Sequence, residues 1–294
     1  MSTWRLVDRL LEFPPPQAAG IVNVTDDSFF EGARSETPER AVGDGLALAE
    51  AGFDLLDVGA VPARSGPAVS VDEEAARLVP AVAELASRAG VPVTADTFQV
   101  EVARRALDAG AAAINDISGG RDPEMLDLVA ERGCGYVLMH IEGPPRADRE
   151  ARSHRDPVAY LERWFGERIQ AALARGVAEE QIALDPGLDF DLSVDDDLEI
   201  LRRLGELREL GRPLFVALSR KDFLGAVLAG SWQGRAPAAE REWATAAATA
   251  LAVAGGAEIV RLHDRSALDA LRTAAAICGS RGAATGRPLP TANG

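Results

Sequence analysis

Polar side chains recur at the ends of short aliphatic runs, and their types suggest a chemistry. Asn23-Val24-Thr25-Asp26-Asp27-Ser28-Phe29 closes the first run. Asp57-Val58-Gly59 closes the second and leads to Arg64. Asp96-Thr97, Asn115-Asp116, Met139-His140 and Asp185-Pro186-Gly187 close the next four. Ser219-Arg220-Lys221 and Arg261-Leu262-His263-Asp264 close the last two. One such residue is ordinarily a turn or a helix cap. Eight in succession ask for more. Asp96, Asn115 and Asp185 could read the donors of a planar heterocycle, while Arg64, Lys221, Arg261 and His263 could hold an anion.

These residues need elements to position them. The runs Ala19–Val24, Leu55–Val58, Val93–Asp96, Ala113–Asn115, Tyr136–Met139, Ile182–Asp185, Leu214–Leu218 and Ile259–Leu262 predict strands. Segments with a period near 3.6 separate them, among them Glu73–Arg88, Val100–Ala109 and Leu198–Leu210. Gly52, Gly90, Gly110, Gly133 and Gly211 stand where helix C-caps fall. Strands alternating with helices imply parallel pairing by right-handed crossovers. Eight units predict a single (β/α)8 TIM barrel over residues 1–278, with 279–294 a flexible tail. An open doubly wound sheet is the alternative, disfavoured because no glycine-rich dinucleotide fingerprint follows the first strand. In a barrel the polar strand ends share one face, where active sites lie.

Composition bounds the function. A net charge of −15 over 294 residues argues against a nucleic-acid partner and requires any anion site to gather positive charge locally. No apolar run reaches about 18 residues, so no membrane span is expected. Cys134 and Cys278, both in apolar sequence, suggest inert buried thiols and a cytoplasmic setting.

Taken in order, these motifs resemble the dihydropteroate synthase family. The likeness runs from about Ile21 to about Ala276 and includes Ile21–Phe29, Ala95-Asp96-Thr97, Ile114–Gly119, Leu138-Met139-His140, Leu184–Gly187, Leu218–Lys221 and Ile259–Asp264. The family joins 6-hydroxymethyl-7,8-dihydropterin pyrophosphate to p-aminobenzoate and releases pyrophosphate. The resemblance implies that Asp96, Asn115 and Asp185 bind the pterin, with Lys221 at its carbonyl side. Met139 and Phe190 would line one face and Arg261 would stack on the other. Asn23 would bind Mg²⁺, and Arg64, Arg261 and His263 would cradle the pyrophosphate. Lys221, Arg261 and His263 would thus carry the chemistry. A homodimer is implied too, with Thr245–Ala254 a candidate interface.

The departures gather on the second substrate. Where the family usually reads Gly-Gly-Glu-Ser-Thr-Arg-Pro-Gly, this chain has Gly59–Gly66, with Ala63 and Ser65 replacing Thr and Pro. After Lys221 the family usually has Ser at a helix N-terminus that receives the aminobenzoate carboxylate; here it is Asp222. Asp222 is expected to take that place itself and repel a second carboxylate, at about 4 kcal/mol for like charges about 4 Å apart. Asp189, Asp191 and Leu192 stand for two glycines and a lysine of the sixth loop, and solvent exposure is the plain expectation for the two acids. Use of p-aminobenzoate is therefore expected to be weak, and Asp222→Ser to improve it. A pterin-binding paralogue without the transferase activity is the alternative, with a pterin-dependent methyltransferase barrel behind it. His154 is expected at the surface, and Asp195-Asp196-Asp197 at a helix start.

Overall fold

The computed structural model describes residues 2–24, 38–63, 66, 68–147 and 151–279. Eight parallel strands alternate with helices: β3 (Gln17–Asn23), β4 (Leu55–Gly59), β5 (Val93–Asp96), β6 (Ala113–Asp116), β7 (Gly135–Met139), β8 (Ile182–Asp185), β9 (Phe215–Ala217) and β10 (Ile259–Leu262). Their order is β8-β7-β6-β5-β4-β3-β10-β9. The ends meet where Leu184 bridges Leu214, and Leu184 N donates to Pro213 O at 2.8 Å. The sheet is a (β/α)8 barrel. The predicted tail lies outside the described residues.

The helices are α1 (Pro38–Ala51), α2 (Val71–Arg88), α3 (Val100–Asp108), α4 (Pro123–Arg132), α5 (Pro157–Ala174), α6 (Val194–Arg202), α7 (Asp222–Ala229), α8 (Glu242–Ala254) and α9 (Arg265–Ile277). Local sequence sets their ends. Ser70 and Glu73 form a capping box at α2, and Asp122 with Pro123 opens α4. All five expected C-cap glycines have positive φ, from 61° at Gly133 to 105° at Gly110. The helix expected over Leu198–Leu210 breaks after Arg202, and Leu204–Leu210 tightens into a 3₁₀ turn. Gly205, a poor helix former, packs where an added Cβ would lie 3.3 Å from Gly255 O.

Strand period two sorts the residues into layers. Outward-facing Val22, Leu56, Val58, Ile114, Leu138, Leu184 and Val260 pack on the helices in the main core. Inward-facing Ala19, Leu55, Ala113, Val137, Ala183, Phe215 and Ile259 form the floor. A hairpin not anticipated from the sequence closes this floor: β1 (Ser2–Arg5) pairs antiparallel with β2 (Leu10–Phe13). Its Trp4, Leu6 and Phe13 are buried against the floor, and Trp4 Nε1 donates to Gln181 O at 2.8 Å. Cys134 is buried as expected, whereas Cys278 is exposed because α9 ends there at the surface.

Candidate active site

Two residues beyond the floor, the same inward faces carry Asp57, Asn115, Met139, Asp185 and Arg261. Asp96 joins them, because it pairs in register with Asn115. Period two, applied above an apolar layer, therefore brings the polar strand ends into one layer at the C-terminal end of the barrel.

Arg261 and Asp57 organise its base. Arg261 Nε donates to Asp57 Oδ2 at 2.5 Å, and its Nη2 donates to Asp96 Oδ2 at 2.9 Å. Asn115 Nδ2 donates to Asp57 Oδ2 at 3.1 Å, and Thr94 Oγ1 donates to the other Asp57 oxygen. Asp57 is fully buried; in the sequence it is one strand-end acid among several, marked out by its place two residues beyond Leu55. Asn115 Oδ1 is buried with no hydrogen-bond partner among the described residues.

Burial dominates the titrations. It raises Asp96 to about 7, against the pull of Arg261 and with Asp57 adding repulsion. It raises Asp185 to about 6, against Lys221 and the Gly187 N–H that donates to Asp185 Oδ1 at 2.9 Å. Burial, with Arg261 and Arg220 nearby, lowers His263 to about 3. Burial therefore favours the neutral ring at His263 in the free protein.

An apolar wall faces these groups. Met139 and Phe190 cluster with Ile117 and Ile141, and Ala63 and Phe98 pack against them. The Lys221 ammonium stands 4.5 Å from the Phe190 ring centroid and donates to Leu188 O at 2.9 Å. Asn23, half-buried, ends β3 at the same face. Arg64 and Ser65 lie outside the described residues.

The sixth loop and α7 correct three expectations. Asp189 is not a solvated acid: its carboxylate accepts from Asp222 N at 2.5 Å and from Phe223 N at 2.9 Å, so it caps α7. Asp191 is buried and accepts from Gly143 N at 3.0 Å. Both keep the left-handed backbone that glycine favours, with φ of 72° and 64°. Asp222 does not take the helix end. Its Oδ1 pairs with Arg241 Nη1 at 2.6 Å and Arg235 Nε at 3.2 Å.

His154 also departs from expectation. It lies between Asp196 Oδ2 at 2.9 Å and Glu142 Oε1 at 3.1 Å, stacked on Tyr160 at 4.0 Å. Ser193 caps α6, and only Asp195 of the acidic run is exposed; Asp197 accepts from the Asp189 N–H at 3.1 and 3.2 Å. These contacts hold the fifth and sixth loops against each other.

An acid-and-amide edge, an apolar wall and cations thus gather at the mouth of a (β/α)8 barrel, the face of this fold where active sites lie. The pterin binding enzyme family model matches residues 19–263. The dihydropteroate synthase of Mycobacterium leprae is 42% identical over 272 residues, covering 90% of this chain and 95% of that protein. The Synechocystis dihydropteroate synthase is 37% identical over 251 residues, 85% of each chain. Among solved structures, Xanthomonas albilineans dihydropteroate synthase in complex with 7,8-dihydropteroate is 39% identical with a TM-score of 0.80, over 94% of this chain and 98% of that one. The chain belongs to the dihydropteroate synthase family of pterin-binding enzymes.

Proposed function

We propose that this protein is a dihydropteroate synthase, joining 6-hydroxymethyl-7,8-dihydropterin pyrophosphate to p-aminobenzoate or a related arylamine. The observation that carries the reading is the gathering of Asp96, Asn115, Asp185, Lys221 and Arg261 at the strand C-termini beside the Met139–Phe190 wall. Asp185 accepts from the amino-pyrimidine edge, and the orphaned Asn115 Oδ1 gains a donor from the same ring. Lys221 approaches the ring carbonyl. Arg261 leaves the Asp57–Asp96 pair to lie over the ring face. The arylamine nitrogen then attacks the methylene carbon. The C–O bond breaks, its electron pair leaves with pyrophosphate, and the amine sheds its proton. Arg261 and Arg64 favour the departing charge, and neutral His263 donates a hydrogen bond to it.

Asn23 would hold Mg²⁺ with the pyrophosphate, and bound Mg²⁺ would supply charge neutralisation at the leaving oxygens. A single amide oxygen suits this ion, which keeps waters and takes further oxygens from substrate phosphates. We also infer a cytoplasmic homodimer, joined through α8 and α9. Trp243 and Ile277 there are 84% and 80% exposed, beside a groove of about 460 Å³.

The test incubates the protein with the pterin pyrophosphate, p-aminobenzoate and Mg²⁺ and follows dihydropteroate and pyrophosphate together. Stoichiometric formation of both is expected. Pterin pyrophosphate binding without product from any arylamine would favour the non-catalytic paralogue instead.

A further inference from the structure

On the transferase reading above, the side of the site at the start of α7, where the acceptor would arrive, already contains a carboxylate of its own. α7 begins directly after Lys221, whose ammonium faces Asp185 and Phe190, so the first turn of α7 stands beside the heterocycle pocket. The Asp222 and Phe223 amides that open it donate to Asp189, at 2.5 and 2.9 Å. Asp189 is held from behind as well, its N–H donating to the buried Asp197 carboxylate. One residue into the helix, Asp222 is buried and engages Arg241 and Arg235, while Arg220 is engaged by Asp264 at 2.6 Å. A negatively charged acceptor arriving here meets amides already bonded to an acid, and guanidiniums already paired. A neutral arylamine meets no such opposition.

We propose that Asp189 is a specificity-determining residue of the acceptor side, its carboxylate filling the place at α7 where an anionic acceptor would otherwise be received. This rests on the transferase reading above and deepens it. p-Aminobenzoate must displace Asp189 or bind against its charge, whereas an arylamine with an uncharged para substituent does neither. The discrimination belongs to Asp189 and not to Asp222, whose charge is matched by its own buried arginine.

The experiment compares p-aminobenzoate with p-aminobenzamide, which is uncharged at the same position. Wild type, Asp189→Gly and Asp189→Asn are used; glycine accepts the 72° φ, and asparagine keeps the size without the charge. With saturating pterin pyrophosphate and Mg²⁺, the KM ratio of p-aminobenzoate to p-aminobenzamide is expected to fall about tenfold in both variants. A ratio within about twofold of wild type in both variants, with unchanged melting curves, would overturn the proposal. Equal improvement of the two acceptors would overturn it too, since an opened loop does not distinguish charge. Calorimetry of the same two acceptors, titrated into protein loaded with 6-hydroxymethyl-7,8-dihydropterin, inorganic pyrophosphate and Mg²⁺, measures the same ratio without turnover. If no variant makes product, the transferase reading fails, and the calorimetric ratio still decides the role of Asp189.

Discussion

At Asp222 a single side chain separates a charge argument from a structural one. From sequence its carboxylate faces the acceptor, and its removal should help. In the fold its Oδ1 lies 2.6 Å from Arg241, a guanidinium that is itself buried. Asp222→Ser leaves that charge without its counterion. A loss of about 3 kcal/mol is expected in urea unfolding, because breaking a buried pair costs more than the pair is worth. A variant as stable as wild type would contradict the pairing. Asp96 and Asp185 give the pH dependence. Their folded pKa values, about 7 and about 6, lie above the usual carboxylate value. The folded state therefore holds protons that the unfolded chain has released, and stability contributed in acid is lost as pH rises through 6 to 7. On the proposed function pterin binding runs the other way, since Asp185 would meet the ring's donors in its ionised form. Calorimetric affinity for the pterin should weaken as pH falls below about 6, and Asp185→Asn should abolish most of that slope while weakening binding.

At the scale of elements, the loop from β8 to α6 is held at several points. Gly187 has φ of 68°, and a Cβ there would sit 2.0 Å from the His140 carbonyl oxygen, so nothing larger than hydrogen fits. The same loop then supplies Leu188 O to Lys221, Phe190 to the wall and Asp189 to α7. Gly187→Ala should cost about 2–4 kcal/mol and raise the KM for pterin pyrophosphate, because moving the loop moves the Lys221 anchor. Chemical denaturation and steady-state kinetics check the two effects separately. Asp189 and Asp191 are legible in sequence only as acids in glycine positions. Their use is spatial: one reaches an α7 amide pair 33 residues on, the other Gly143 N, 48 residues back.

At the scale of the whole molecule, the barrel is closed at one end so that it can be open for chemistry at the other. The β1–β2 hairpin fills the floor with Trp4, Leu6 and Phe13. Trp4→Ala should cost about 3–5 kcal/mol in thermal or urea unfolding and leave the pterin KM little changed, since the hairpin touches the end remote from the site. The acidic chain, −15 overall, still assembles Lys221, Arg220 and Arg261 at one mouth, because all three follow or end strands that point the same way. The α8–α9 face belongs to this scale too. For the homodimer proposed above, Trp243→Glu should give a monomer in analytical ultracentrifugation, and a wild-type protein that sediments as a monomer at micromolar concentration would refute it.

The sequence by itself determined the eight strands, most helix ends and the barrel, because period, caps and glycines are local and each is written within a few residues. It also named Asp96, Asn115, Asp185 and Arg261, which close aliphatic runs at one depth, and Lys221, which follows the seventh run a few residues further on. Tertiary structure alone decided where charges go. Which acid meets which cation depends on approaches between segments far apart in the chain, as between Asp57 and Arg261, 204 residues apart. Burial then decided which groups keep their charge, leaving His263 neutral and two site acids near the middle of the pH scale, because desolvation belongs to the assembled cavity and not to any stretch of chain.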